Sequence, residues 1–321
     1  MMKPSIFYSG LMIALLAATT AGAETAITLP DPGFAPEGIS VGASGALYIG
    51  SLTEGRILRV SADGTTFSDF APAGANGLVS VIGVHASADG KTVFACSSDP
   101  GASKLTKTAA PALVAFHTES GEPAGRYELP EGGSFCNDIT ELPDGTVLAT
   151  DSFVPRIYAL KPGADHLDVW LDAPALNAEG FNFNGIAYDD GHVYILRYSS
   201  GTMHGVTVAP DGSAGEVVQV EMARQLSAPD GLTSLGSGRF LIVEGGGLTA
   251  GARGQLTGAT LAHDHAELTA IAPDLNVPTT TAVESGKAYV VEGQLDHLFD
   301  PVAGPADPYR ILVIDLPAEF R

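Results

Sequence analysis

The stretch Gly180–Leu196, GFNFNGIAYDDGHVYIL, holds an Asn-Gly pair where no turn is needed. The turn is Asp189-Asp190-Gly191, between two apolar runs that read as the arms of a β-hairpin. Asn184-Gly185 stands instead at the start of the first arm. The same arrangement recurs along the chain: PEGISVGASGALYIGS, CNDITELPDGTVLATD and PDGLTSLGSGRFLIVE follow one template. Each has a leading polar residue, usually Gly or Asp after it, an aliphatic strand, a Gly-containing turn and a second β-rich strand. IGVHASADGKTVFAC and PTTTAVESGKAYVVE are degenerate copies, and third strands such as GRILRV, ALVAFH, RIYAL and RILVID follow.

The six leading positions are Glu37, Ile82, Asn137, Asn184, Asp230 and Thr279, spaced by 45 to 55 residues. Sheets repeated at this period specify an all-β fold, a six-bladed β-propeller. A β-sandwich explains the strands but not the fixed period with the same polar position. The composition agrees: 39 glycines, 21 prolines, 17% charged residues and no long helical pattern among 321 residues. Met1–Lys3, the apolar run Leu11–Ala18 and the small residues Ala21-Gly22-Ala23 read as a cleaved secretory signal over residues 1–23. The expectation is one propeller domain over 24–321, periplasmic or secreted. A net charge of −21 argues against nucleic acid or an anionic membrane as partner. A small-molecule substrate and a monomer are expected.

The first strand of each blade lines a propeller's central channel, so the leading residues converge on one axis. Glu37, Asn137, Asn184 and Asp230 offer oxygen ligands with a summed charge of −2, a set suited to a hard divalent cation. Calcium is the first expectation, with magnesium, manganese or zinc open at a site with free positions. Each second strand returns to the same face and ends at Ser51, Cys96, Asp151, Arg197, Glu244 or Glu292, which are expected to ring the pocket mouth as a second layer around the ion. Arg197 is the only cation among them. His85, three residues into blade two, and His297, in the insertion QLDHLFDPVAGPADP, are further candidates. His263 and His265 read as surface residues.

These features resemble the regucalcin/gluconolactonase superfamily (senescence-marker-like and luciferin-regenerating-enzyme-like propellers). They are similar also to diisopropylfluorophosphatase and paraoxonase-type propellers. The residues that carry the resemblance are Glu37, Asn137-Asp138, Asn184-Gly185 and Asp230-Gly231. It implies a channel-bound divalent metal on the four leading positions, hydrolysis of lactones or related esters, and Asp230 as both ligand and candidate base. Sugar-lactonase relatives carry an arginine two residues before the Asn-Asp pair. Phe135 stands there in this chain, which points to a less polar lactone or ester. Two readings stand beside the hydrolase: a non-catalytic propeller pinned by its ion, and a phosphotriesterase-like enzyme.

Cys96 and Cys136 fall at the same face of adjacent blades, within reach of a disulfide or left as two buried thiols. Blade six supplies only three strands, so Ala26–Pro30 is expected to pair with Ile311–Leu316 and close the ring.

Overall fold

The computed structural model describes residues 25–106, 109–130 and 132–321. The expected signal segment therefore lies outside the described residues. Six sheets, each built on four antiparallel strands, follow one another, and the first strands of successive sheets adjoin in a closed circuit. Blade one comprises Pro36–Val41, Leu47–Ser51, Ile57–Val60 and Phe67–Ala71. Blades two, three and four begin at Ser80–Ala86, Cys136–Glu141 and Phe183–Asp189. Blades five and six begin at Pro229–Gly236 and Pro278–Glu284. Blade five gains a short outer strand, Glu221–Met222, parallel to His265–Leu275, which the repeat does not announce.

Blade six takes its fourth strand from the other end of the chain. Thr25–Thr28 pairs antiparallel with Arg310–Asp315, in the register Ala26 opposite Leu312 and Ile27 opposite Ile311. The expected closure is present, begun one residue earlier and ended two earlier. It covers an edge that would otherwise offer unpaired backbone groups. Aliphatic and aromatic side chains fill the spaces between blades, as where Ile39, Ile49 and Ile82 meet Phe135 and Ile139. Among the described residues no helix is long and apolar enough to cross a membrane.

The answer to Asn184-Gly185 lies in the pairing of each inner hairpin. In all six blades the ladder slips across the leading residue and the one after it. The breaks fall between Pro36 and Ile39, Val81 and Val84, Cys136 and Ile139. The other three fall between Phe183 and Ile186, Pro229 and Leu232, Pro278 and Thr281. Each is a bulge that re-aims one side chain while the strand continues. The glycine after the leading residue is not there for a turn: Gly38, Gly83, Gly185 and Gly231 lie outside the left-handed region. A Cβ on Gly185 would overlap the Asp230 carbonyl and come within 2.7 Å of Leu232 N. Likewise, one on Gly38 would strike the Ile82 carbonyl, and one on Gly83 that of Asn137. At Gly38, Gly83 and Gly185 neighbouring blades meet backbone to backbone at the axis and leave no room for a side chain, while Gly231 packs against Thr280. Asp138 and Thr280 occupy this second position in the two remaining blades.

Candidate functional site

Glu37, Asn137, Asn184 and Asp230 come together in one pocket, at the entry ends of the first strands. All four are at least nine-tenths buried. They share a pocket of about 60 Å³ with Leu52, Ile82, Pro100, Phe135, Phe181, Tyr198, Leu248, Leu295 and Phe299. Asn137 donates from Nδ2 to Ser152 Oγ at 2.8 Å, and that hydroxyl donates to the Phe183 carbonyl at 2.7 Å. With its amide nitrogen committed, Asn137 keeps its carbonyl oxygen for the pocket. The Asn184 side chain hydrogen-bonds to Asp230.

The electrostatics are those of anions lacking a countercharge. Burial, and then repulsion from Asp230 and Asp138, push Glu37 well above the carboxylate range. Burial and the charge of Asp138 push Asp230 up to about 8, against the hydrogen bond from Asn184. Asp138 itself is pushed up to about 6 by burial, although it accepts from the N–H groups of Ile139 and Ile186 and faces His85. No lysine or arginine among the described residues acts on any of the three. Two desolvated carboxylates facing two amides fit a hard divalent cation, which would reverse these shifts. The set stops at two carboxylates and two amides: among the described residues no three His, Cys, Asp or Glu side chains form a metal-holding cluster.

The ring of strand ends has the right period and the wrong face. None of Ser51, Cys96, Asp151, Arg197, Glu244 and Glu292 lines the pocket. In five blades the strand end pairs with the residue just before the leading one, as Ser51 does with Pro36 and Asp151 with Cys136. Cross-strand partners share a face, so these side chains turn away from the axis. The following positions, such as Leu52, Ser152 and Tyr198, face the site or its donors instead.

The strand-end carboxylates clasp the loops that enter their own blades. Asp151 accepts from Ser134 N at 2.7 Å, Phe135 N at 3.1 Å and Phe153 N at 2.9 Å. Glu244 holds Ser227 N, Arg224, Gln255 and Thr257, all at 2.6–2.8 Å. Glu292 accepts from Asn276 N at 2.9 Å and from Arg310. Arg197 donates to the Leu176 carbonyl. Cys96 is bonded to Cys136 with Cα atoms 5.1 Å apart, settling the open choice for a disulfide.

His85 is placed elsewhere: it lines a separate cavity and lies 3.3 Å from Glu141. That cavity, about 310 Å³, is walled by the first strands of all the blades. His297 sits on the short helix Asp296–Phe299 with Nδ1 3.1 Å from the Gly304 carbonyl, and does not line the pocket. Its neighbours Leu295 and Phe299 do. His263 and His265 are exposed, as expected.

Sequence reasoning missed Ser152, Phe181, Tyr198, Leu248 and Leu295. The signal for Ser152 and Tyr198 was strand alternation: both follow a strand end by one residue.

Residues 22–60 match the family model described as strictosidine synthase-like, N-terminal. No curated protein sequence matches the chain. Solved structures do match in fold. A gluconolactonase from Xanthomonas campestris superposes with a TM-score of 0.63 at 16% identity, over 92% of this chain and 91% of that one. A luciferin-regenerating enzyme gives 0.66 at 11% identity, over 92% and 96%. The virginiamycin B lyase of Staphylococcus aureus gives 0.58 at 15%, over 92% and 99%. The six-bladed propeller fold is thus shared with a gluconolactonase, a luciferin-regenerating enzyme and a virginiamycin B lyase. Proteins named for such different reactions share it, so chemistry has to be argued from the site.

Proposed function

We propose that the chain is an exported, divalent-metal-dependent hydrolase acting on a neutral lactone or ester. One observation carries this reading: Glu37 and Asp230, desolvated and without a cationic partner, face Asn137 and Asn184 at the base of a pocket with apolar walls. These four residues would hold the cation, with calcium the first choice. Bound there, it supplies Lewis-acid polarisation of a carbonyl and a lowered pKa for water.

The chain's own residues do the rest. Ser152 and Asp230 fix the two amides. The walls exclude bulk water from the base of the pocket. Asp230 takes a proton from the attacking water as its oxygen bonds to the acyl carbon. The carbon–oxygen bond to the leaving group then breaks, and the proton passes to the alkoxide. Tyr198 is kept protonated by burial and by the charge of Asp230, so it enters the pocket as a hydroxyl donor. The Cys96–Cys136 disulfide and the leader-like residues 1–23 support export to an oxidising compartment. The acidic charge supports a soluble monomer meeting a small molecule rather than nucleic acid or a membrane.

The test is metal analysis followed by a lactone and ester panel with and without chelator. In Asp230→Asn, hydrolysis is expected to fall about 10²–10⁴-fold while the fold and most of the metal remain. Glu37→Gln is expected chiefly to weaken metal binding, read by calorimetry, with activity partly restored at high metal concentration. Near-normal turnover in Asp230→Asn removes it as the base. A tightly held metal with no turnover on lactones, esters or phosphotriesters leaves the non-catalytic propeller.

A further inference from the structure

Four aromatic residues gather on one side of the pocket, all from the site-facing ends of blades three and four. Phe135 and Phe181 precede the leading Asn137 and Asn184, while Phe153 and Tyr198 follow the second strands. Their ring centroids form a continuous array: Phe135–Phe153 4.9 Å, Phe153–Phe181 5.4 Å, Phe181–Tyr198 5.5 Å and Phe135–Phe181 6.4 Å. Phe135, Phe181 and Tyr198 line the pocket. Phe153 stands at the outer end of the array and is 45% exposed. Among the lining residues is also Phe299, itself 38% exposed.

Resting on the hydrolase reading, we propose that this array is the specificity wall of the site, and that it selects a substrate bearing an aromatic ring beside its ester or lactone carbonyl. Apart from the Tyr198 hydroxyl, every polar lining side chain belongs to Glu37, Asn137, Asn184 or Asp230. The site therefore has a polar base and an apolar wall, matching a molecule with one carbonyl end and one apolar end. A polyhydroxylated lactone would bury hydroxyls against rings that cannot bond them, which a pocket discriminates against strongly.

The wall also favours a ring over an alkyl chain. Neighbouring rings are inclined by 37° to 76° and so present both faces and edges. Another ring docks on such an array in offset or edge-on geometry, gaining attraction beyond the area it buries. A volume of about 60 Å³ is well below that of ordinary ligand pockets, so a ring must displace part of the wall. Phe299 is the lining residue to move, since its exposed face has little core packing to lose, while Phe153 backs Phe135 and Phe181 from outside the lining. Asp151 meanwhile fixes the backbone under Phe135 and Phe153.

The test uses phenyl acetate, dihydrocoumarin, δ-valerolactone and δ-gluconolactone as substrates, and phenylacetone as a non-hydrolysable aromatic ketone. With metal-loaded full-length protein, kcat/KM for the aryl substrates is expected to exceed that for either non-aromatic lactone by about 10-fold or more. Phe181→Leu and the exposed Phe153→Ala are each expected to lower the aryl-to-alkyl ratio about 10-fold, chiefly through KM. They should also weaken phenylacetone binding measured by saturation-transfer NMR. Faster turnover of δ-gluconolactone, or an unchanged ratio in both variants, overturns the wall and leaves the hydrolase standing. Phenylacetone binding that depends on Phe153, without turnover of any ester, upholds the wall and overturns the hydrolase.

Discussion

Replacing Gly185 by alanine tests how the blades meet at the axis. The added methyl would overlap the Asp230 carbonyl and lie 2.7 Å from Leu232 N and 2.9 Å from Gly231 C. Ordinary Cβ contacts begin near 3.4 Å, so Leu232 N alone would have to retreat by 0.7 Å. All three atoms are backbone of the next blade, so no side-chain rotation relieves the clash. Overpacking of this kind costs about 1–3 kcal/mol. Alanine also narrows the unfolded ensemble, which stabilises by about 0.4–1 kcal/mol where the native backbone accepts it, as at Gly185. Backbone cannot swing aside as a side chain can, so the overpacking wins, by about 1 kcal/mol.

Urea unfolding should show the midpoint of Gly185→Ala lowered by about 0.5–1 M with unchanged slope. Gly205→Ala is the control: its φ is also ordinary, but its nearest neighbour is the Tyr194 ring at 3.1 Å, which can turn. It is expected to stay within about 0.5 kcal/mol of the parent. Equal stability for Gly185→Ala and the parent, or equal losses at both positions, would refute backbone contact as the reason for the leading glycines.

Glu244 gives a pH-dependent test. Burial pushes its pKa up, but Arg224, Thr257, Ser227 N and Gln255 together outweigh this and hold it down to about 2. Its contribution is therefore present above the ordinary carboxylate range and lost as pH falls from about 4.5 towards 2. Glu244→Gln should remove that part of the acid dependence and cost about 2 kcal/mol at neutral pH, after allowing for the half-exposed arginine. Matching pH–stability curves for variant and parent would sink the idea. The Cys96–Cys136 bond spans 40 residues of sequence, so its loss in the double serine variant should cost about 3–4 kcal/mol. Unfolding midpoints that do not respond to reductant would count against it.

The blade count, the ring closure and the convergence of four oxygen donors were all legible, because each depends on a period that composition cannot hide. The facing of the strand ends was not. A two-residue bulge changes which residue shares a face with the leading position, and nothing in the hairpin pattern distinguishes a bulge from an even ladder. Phe135 was visible as a departure. Its partnership with Phe153 and Phe181 was not, since those rings come from different loops and meet only once the blades are packed.

The bulge, followed by glycine in four of the blades, makes the axis a ring of six seats. The occupants are Glu37, Ile82, Asn137, Asn184, Asp230 and Thr279, and the ladder breaks at every one of them whether the side chain is acidic, amide, hydroxyl or aliphatic. Because the seat does not depend on its occupant, the charge and donor count at the centre can be rewritten one blade at a time. Ile82 lines the pocket, so a carboxylate in its seat would change the valence of the centre, whereas Thr279, whose hydroxyl donates to the Glu37 carbonyl at 2.8 Å, ties blade six to blade one.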